Sequence, residues 1–400
     1  MNFWHEIPKP IIGLSPMDGI TDASFRYITA KHGGADVTIT EFANVETAFY
    51  APQTLIKDFT YSEIERPVVA QIYGHTPEIF YKVAHIACEL GFDGLDINMG
   101  CPAKKVAAKG SGAALIRTPE LAQSIIRAVT QGITDWRDGQ TLGQLKIHPD
   151  LIEKVQLANR LRTGWETPPV RDAIPVSVKT RLGFDQVVID EWIRTLLEER
   201  LAAISLHGRT LKQQYKGNAD WAAIAQAVAA ARGSQTLILG NGDLRDMNDI
   251  YRRVCETGVD GVLVGRAAQG NPWLFRGKEQ VKEALRSGGP VSLPNIPVSL
   301  EQRFAVMIEH ACRFEKYWGS QSFVGMRKHL AWYCRSTPRA AELRAQMVRL
   351  NNVNELMQCL SHYAGFVARS LESVPAVLRA AASRIPNEAF DSPTSGRAYT

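Results

Sequence analysis

Eight short runs rich in β-branched residues, separated by longer amphipathic stretches, constrain this chain more than any other feature. They are Ile11 to Ser15, Val37 to Thr40, Pro67 to Tyr73, Gly94 to Asn98, Ile174 to Thr180, Ala203 to His207, Thr236 to Gly240 and Gly261 to Gly265. Apolar runs alternating with helical patterns read as parallel strands joined by crossover helices. Thr76-Pro77-Glu78 and Thr118-Pro119-Glu120 each pair a capping hydroxyl with proline at the first helical position, and Gly91 supplies a helix stop. Eight such units predict an α/β fold closed as a (β/α)8 TIM barrel. A doubly wound open sheet would carry a G-x-G-x-x-G turn after its first strand, where this chain has Ser15-Pro16-Met17-Asp18-Gly19.

With 400 residues, 45% of them apolar, the chain exceeds the ~250 residues of one barrel, so a second, smaller domain is expected. Pro290, Pro294 and Pro297 mark a linker, and from about Val298 the pattern turns helical. Phe304, Ile308, Ala311 and Phe314 form an apolar stripe, with Arg303, His310 and Arg313 elsewhere on the same helix. The layout is a barrel over 1–295 and an all-α domain over 298–385, with a tail, 387–400, that reads as disordered from its Ser, Pro, Gly and Thr content. About forty residues separate the helix ending near Gln131 from strand five, where connections are usually ~2 to 6 residues long. This insertion, about 132–172, holds Trp136, Asp138-Gly139 and a short helix from Pro149 to Arg162. A helix-to-strand connection lies on the barrel face opposite the chemistry.

The first residues lack the basic and apolar regions of a signal peptide, and no apolar stretch approaches the roughly 18 residues of a membrane span. Six scattered cysteines form no C-x-x-C pair, which argues against zinc or iron–sulfur chemistry. No metal is expected. The setting reads as reducing and cytoplasmic, the chain as a monomer. A net charge of +5 and pI near 8.8 permit a polyanionic partner without requiring one.

Barrel chemistry sits at the carboxyl ends of strands. There the chain places Gln71, Asn98 with Cys101, Lys179 with Arg181, His207 with Arg209, Asn241 with Asp243, and Arg266. One polar residue at a strand end is ordinarily a loop cap; six strands ending this way call for another account. Asn98-Met99-Gly100-Cys101-Pro102 puts a lone thiol where a strand opens into a loop, with a proline that stops the strand. A free cysteine is usually a buried, inert residue, but this position favours a reagent. Asn241-Gly242-Asp243 and Gly265-Arg266-Ala267, after strands seven and eight, occupy the place where barrels bind phosphate: glycine amides can approach an anion and Arg266 can pair with it. A phosphate site facing Lys179, with Gln71 and His207 near it, fits flavin mononucleotide better than a phosphorylated sugar. Lys179 would stabilise the charge of the reduced ring, and Gln71 could bond its polar edge.

The chain resembles the tRNA-dihydrouridine synthase family, most closely its B-type bacterial branch, from about Ile11 to Tyr333. The resemblance rests on Ser15-Pro16-Met17, Gln71-Ile72, Asp96-Ile97-Asn98-Met99-Gly100-Cys101-Pro102, Val178-Lys179-Thr180-Arg181, His207-Gly208-Arg209-Thr210, Asn241-Gly242-Asp243, Gly265-Arg266 and Arg327-Lys328-His329-Leu330-Ala331-Trp332-Tyr333. It implies FMN held by Pro16, Met17, Asp18, Gln71, Lys179, His207, Asn241, Gly242, Asp243, Gly265 and Arg266. It also implies reduction by NADPH or NADH, and hydride transfer to carbon 6 of a uracil in the tRNA D-loop. Carbon 5 then needs a proton, and a thiol with a pKa near ~8.5 is still mostly protonated at neutral pH, so Cys101 is the candidate general acid. Asn98, Arg181 and Arg209 are candidates for holding the uracil and its neighbouring phosphate.

The uridine must be drawn out of the folded tRNA into the barrel mouth, which calls for a second binding surface. Between residues 300 and 380 there are eleven Lys or Arg against six Asp or Glu, an excess equal to that of the whole chain. Lys328 and Arg335, seven apart and close to Arg327, should share a helix face that contacts phosphates. For the B-type branch the resemblance implies position 17. The rival reading is an FMN barrel reducing a free pyrimidine or dihydroorotate, whose activity would survive deletion beyond about residue 298. A non-catalytic RNA-binding barrel would carry no flavin.

Overall fold

The computed structural model describes residues 2–168, 170–288, 293 and 296–368. The chain divides into two compact units, Met1–Ile296 and Pro297–Thr400. Residues 369–385 of the expected helical domain and the tail 387–400 lie outside the described residues, as do Pro290 and Pro294.

The first unit is a closed barrel of eight parallel strands in chain order: β1 (Ile11–Leu14), β2 (Thr38–Asn44), β3 (Val68–Tyr73), β4 (Gly94–Met99), β5 (Val176–Arg181), β6 (Ala203–His207), β7 (Leu237–Asn241) and β8 (Gly261–Val264). The last closes on the first, with Ile11 beside Gly261 and Leu14 beside Val264. β2 runs four residues past the expected Thr40. Its polar Thr40 and Glu41 interrupt the apolar run, and the ladder with β3 shifts register between Ile39 and Phe42. Inside the barrel, Ile11, Val37, Ile39, Val69, Ala203, Leu237, Leu239 and Leu263 pack with Trp4, from a short amino-terminal helix, into one apolar cluster. A larger cluster fills the layer between strands and outer helices. Beyond the inner cluster the inward positions turn polar, in registered rows that include Gln71–Asp96–Ser177 and Asn98–Lys179–Ser205.

The helices Pro77–Glu89 and Pro119–Arg137 begin at the expected prolines, yet neither Thr76 nor Thr118 caps with its hydroxyl. Proline at the first position already removes one of the amides a cap would serve. Gly91 takes the left-handed conformation just past the former helix. The latter helix runs to Arg137, so the insertion begins later than the expected residue 132, and Trp136 belongs to that helix. Trp136 donates its indole N–H to Glu89 at 2.7 Å, and Arg171 lies over its ring. The insertion helix Pro149–Thr163 is tied down by Asn159, which donates to the Glu89 carbonyl at 2.7 Å, and by Arg162, bound to the Leu90 carbonyl and to Glu63. These anchors lie just before β3 and β4, on the amino-terminal side of the barrel.

In the second unit the helix Leu300–Trp318 opens with a Ser299/Gln302 capping box and buries Phe304, Ile308, Ala311 and Phe314. His310, expected outside the apolar stripe, is itself fully buried: its Nδ1 lies 3.2 Å from the Tyr333 hydroxyl and its ring packs against His329. The helix Arg327–Tyr333 ends before Arg335, so Lys328 and Arg335 do not share a helix face. Ser336 and Arg339, both with positive φ, turn the chain there. Among the described residues no helix is long and apolar enough to cross a membrane.

Candidate active site

Parallel strands place every carboxyl end at one mouth, and the sheet register decides which side chains become neighbours there. Asn98 stands beside Lys179, Arg181 beside His207, and His207 beside Asn241. The sequence-expected residues at the ends of β4 to β7 are therefore neighbours at one mouth, with Gln71 of β3 fully buried beneath it.

Cys101 follows β4 and is only 7% exposed. Its N–H and that of Gly100 both donate to Asn98 Oδ1, at 2.8 and 3.0 Å. The Cys101 carbonyl accepts the Ala113 N–H, and Gly112 packs so closely that a Cβ there would lie 3.1 Å from the Cys101 Cβ. Burial pushes the thiol above its ordinary value, with Asp18 adding to the rise, while the Ala103 amide, Arg181 and Lys179 act in the opposite sense. The neutral thiol is the favoured form.

The Lys179 side chain forms no hydrogen bond or ion pair with another described residue. Burial, with Arg181 beside it, pulls it down to about 8, against the pull of Asp96 and Cys101. His207 is pushed down to about 2 by burial and by Lys179, Arg181, Arg209 and Arg266, so it stays neutral. Gln71 is fully buried and donates to Asp96 at 2.7 Å while accepting from Asn98 at 3.0 Å.

At the ends of β7 and β8, the backbone N–H groups of Gly242, Asp243, Gly265 and Arg266 meet no hydrogen-bond acceptor among the described residues. A Cβ on Gly242, which has φ of 133°, would lie 2.7 Å from the Ala219 Cβ and 3.3 Å from the His207 ring. A Cβ on Gly265 would sit 3.2 Å from Met17 Sδ, where the β1 and β8 loops meet. Met17 is fixed by its N–H to Thr21 Oγ1, while Pro16 is half-buried and Asp18 exposed. Asn241 is held through its amide to the Leu263 carbonyl at 2.7 Å.

The Asp243 carboxylate accepts from Arg209, Arg266 and the Ala219 N–H. Burial would raise it, but these three partners outweigh burial and hold it below its ordinary value. Arg209, 2% exposed, also binds the Gly217 carbonyl at 2.5 Å, and Arg181, 3% exposed, binds the Gly100 carbonyl at 2.6 Å and the Thr210 carbonyl at 3.2 Å. Both guanidiniums are embedded in the wall, where they brace loops; the sequence expectation of a surface turned to substrate overlooked those carbonyl partners. In the helical unit, Arg327 likewise binds the carbonyls of Leu350 and Arg349 and the side chain of Asn351, whereas Lys328 and Arg335 are exposed.

Three groups escaped sequence reasoning. Asp96, a fully buried carboxylate, accepts from Gln71 and from Ser177 at 2.6 Å; an aspartate two positions before Asn98, on the same strand face, was the available signal. Glu41, on the extended part of β2, accepts the Ile20 N–H at 2.7 Å; burial and Asp22 push it up to about 7. Glu46, His75 and Ser111 link the loops after β2, β3 and β4: the His75 Nδ1 lies 3.2 Å from Glu46 and 3.3 Å from Ser111.

An unpartnered lysine and four open amides at one mouth suit an anionic ligand, and a neutral thiol beside them can supply a proton. The family model described as dihydrouridine synthase (Dus) matches residues 13–167 and 148–371. A probable tRNA-dihydrouridine synthase of Staphylococcus aureus (strain MRSA252) is 31% identical over 373 residues, spanning 90% of this chain and 95% of that protein. A probable tRNA-dihydrouridine synthase 2 of Bacillus subtilis (strain 168) is 30% identical over 367 residues, spanning 90% and 96%. Among solved structures, DHODH from Eimeria tenella in complex with ferulenol overlaps with a TM-score of 0.46 at 13% identity, covering 71% of this chain and 83% of that one, too distant a likeness to bear on function. On the family model and these relatives, the chain belongs to the dihydrouridine synthase family of flavin-dependent oxidoreductases.

Proposed function

We propose that this chain reduces the carbon 5–carbon 6 double bond of a D-loop uridine in tRNA, with FMN in the barrel mouth, NADPH or NADH as reductant and Cys101 as proton donor. The observation that carries the reading is the neutral Cys101 thiol sharing one mouth with unpartnered Lys179 and the four open amides. Those amides and Arg266 suit a phosphate. Pro16, Met17, Asp18, Lys179, His207 and Asn241 would surround the rest of the cofactor, whereas Gln71, fully buried and bonded to Asp96 and Asn98, would support the site from beneath. The Asp243 carboxylate, tied to two arginines, would contribute through its backbone while keeping Arg266 at the rim. When bound and reduced, FMN supplies the hydride that adds to carbon 6 of the uracil. Lys179 supplies positive charge in the mouth. Neutral His207 can donate or accept a hydrogen bond without adding charge.

Cys101 transfers its S–H proton to carbon 5, and the resulting thiolate regains a proton from solvent. A raised pKa suits this role, because a thiol ionised at neutral pH would have no proton to give. Asn98 holds the Cys101 turn, and Arg181 and Arg209 shape the walls against which the uridine must fit. Exposed Lys328 and Arg335, with Lys104, Lys105 and Lys109 after Cys101, would meet tRNA phosphates. Position 17 is the proposed uridine, following the B-type resemblance. The test is mass spectrometry of site-specific fragments of unmodified tRNA after incubation with the protein, FMN and NADPH. The expected result is a gain of two mass units on one uridine; no gain on tRNA together with reduction of a free pyrimidine would contradict it.

A further inference from the structure

Two side-chain amides and one carboxylate form a continuous wire beneath the mouth. Ser177 Oγ donates to Asp96 Oδ1 at 2.6 Å, Gln71 Nε2 to Asp96 Oδ2 at 2.7 Å, Asn98 Nδ2 to Gln71 Oε1 at 3.0 Å, and the Gly100 and Cys101 amides to Asn98 Oδ1 at 3.0 and 2.8 Å. The sheet register makes it: Gln71 is the neighbour of Asp96, and Asp96 of Ser177.

We propose that Asp96 is a positioning residue whose acceptor-only carboxylate sets the direction of this wire, and so fixes the turn that carries Cys101. An amide has one accepting and one donating end, and both ends are free to exchange places unless a neighbour forbids it. An ionised carboxylate forbids it. Gln71 must turn its NH2 to Asp96, which leaves Oε1 for Asn98. Asn98 must then turn its NH2 to Gln71, which leaves Oδ1 for the two backbone N–H groups. Reversing any link would set oxygen against carboxylate at one end and NH2 against two N–H donors at the other. Burial pushes Asp96 up to about 6, against the hydrogen bonds from Ser177 and Gln71 and the charge of Lys179, so the carboxylate remains mostly ionised at neutral pH. Buried networks with every member satisfied specify one arrangement, and this one ends at the proposed proton donor.

The consequence for catalysis rests on the role proposed for Cys101, but the wire itself is testable without tRNA or nicotinamide. The measurement is hydrogen exchange at the Gly100 and Cys101 amides of the full-length protein, resolved by fragmentation mass spectrometry, with amides of β1 and β8 as references. Asp96→Leu removes the acceptor and should speed exchange at those two amides at least tenfold, with the references unchanged. Combining Asp96→Asn with Gln71→Glu moves the carboxylate one link along and keeps the direction, because an ionised glutamate in place of Gln71 can only accept from Asn98. That pair should return exchange to within threefold of wild type, a rescue that a packing role for Asp96 would not give.

Exchange in Asp96→Leu within twofold of wild type, or a double variant as fast as Asp96→Leu, overturns the proposal. Should Asp96→Leu fail to fold, Asp96→Asn, which removes the charge that forbids reversal and leaves only the Gly100 and Cys101 N–H donors to oppose it, should accelerate exchange at least threefold, and equality with wild type would overturn it. Absence of dihydrouridine formation by the wild-type protein would overturn the function and leave the wire standing.

Discussion

The barrel mouth and the helical unit both carry clusters of cations, and they use them differently. At the mouth, the Lys179 side chain has no hydrogen-bond or ion-pair partner among the described residues, while Arg181 and Arg209 are committed to carbonyls and to Asp243. In the helical unit, Arg327 is committed to Leu350, Arg349 and Asn351, and Arg335 is exposed. An arginine's five donors and planar fork suit it to staple several carbonyls at once, whereas a half-buried lysine without a partner, such as Lys179, gains from a negative group set beside it. The difference is one of commitment: the arginines brace walls, and Lys179 is the cation of the mouth left for the cofactor under the proposed function.

The sharpest way to break that comparison is Lys179→Ala. If the leftover cation serves the cofactor, flavin retained through purification should fall at least tenfold, or flavin that remains should be reduced by NADPH at least tenfold more slowly. Wild-type retention and reduction together would show that the leftover cation marks nothing.

A second comparison sets Arg327→Ala against Arg335→Ala. Losing the Arg327 staple leaves several acceptors unpaired and should cost about 1–3 kcal/mol, read as a lower Tm. Arg335→Ala should leave stability within about 0.5 kcal/mol, weaken tRNA binding and reduce the slope of log affinity against log salt by about 1. Unchanged binding at every salt concentration would remove Arg335 from the RNA surface.

Glu41 supplies a test that depends on pH. Its folded-state value, pushed up to about 7 by burial and Asp22, lies above the ordinary 4.5, so the ionised form costs stability above that range and the cost disappears as pH falls. Glu41→Gln should therefore be more stable than wild type at pH 8, by on the order of 2 kcal/mol, with the difference shrinking as pH falls through 7 and vanishing below about 4.5. A difference that grows on acidification would contradict this.

Much of the barrel was legible because strands buried on both faces read as short apolar runs at regular spacing. The end of β2 was not, since Thr40, Glu41 and Asn44 look like loop residues until a register shift carries them into the ladder. Cys101, Lys179 and His207 could be placed at one mouth because strand ends in a barrel converge. Asp96 and its partners could not be joined by inspection: Gln71 and Ser177 stand 25 and 81 residues away, and only register brings them together. Nor does sequence tell whether an arginine faces a ligand or its own backbone, which is why Arg181, Arg209 and Arg327 all read as contacts. The Lys328–Arg335 face failed for a local reason, a turn with two positive-φ residues in place of a continuing helix.

The central claim is that the neutral thiol at the mouth gives up a proton to the uracil, and Cys101→Ala tests it most directly when flavin reduction and dihydrouridine formation are measured in the same sample. The account predicts flavin content and its reduction by NADPH within about twofold of wild type, and dihydrouridine formation slower by about 10²- to 10⁴-fold. Dihydrouridine formed at the wild-type rate would contradict it.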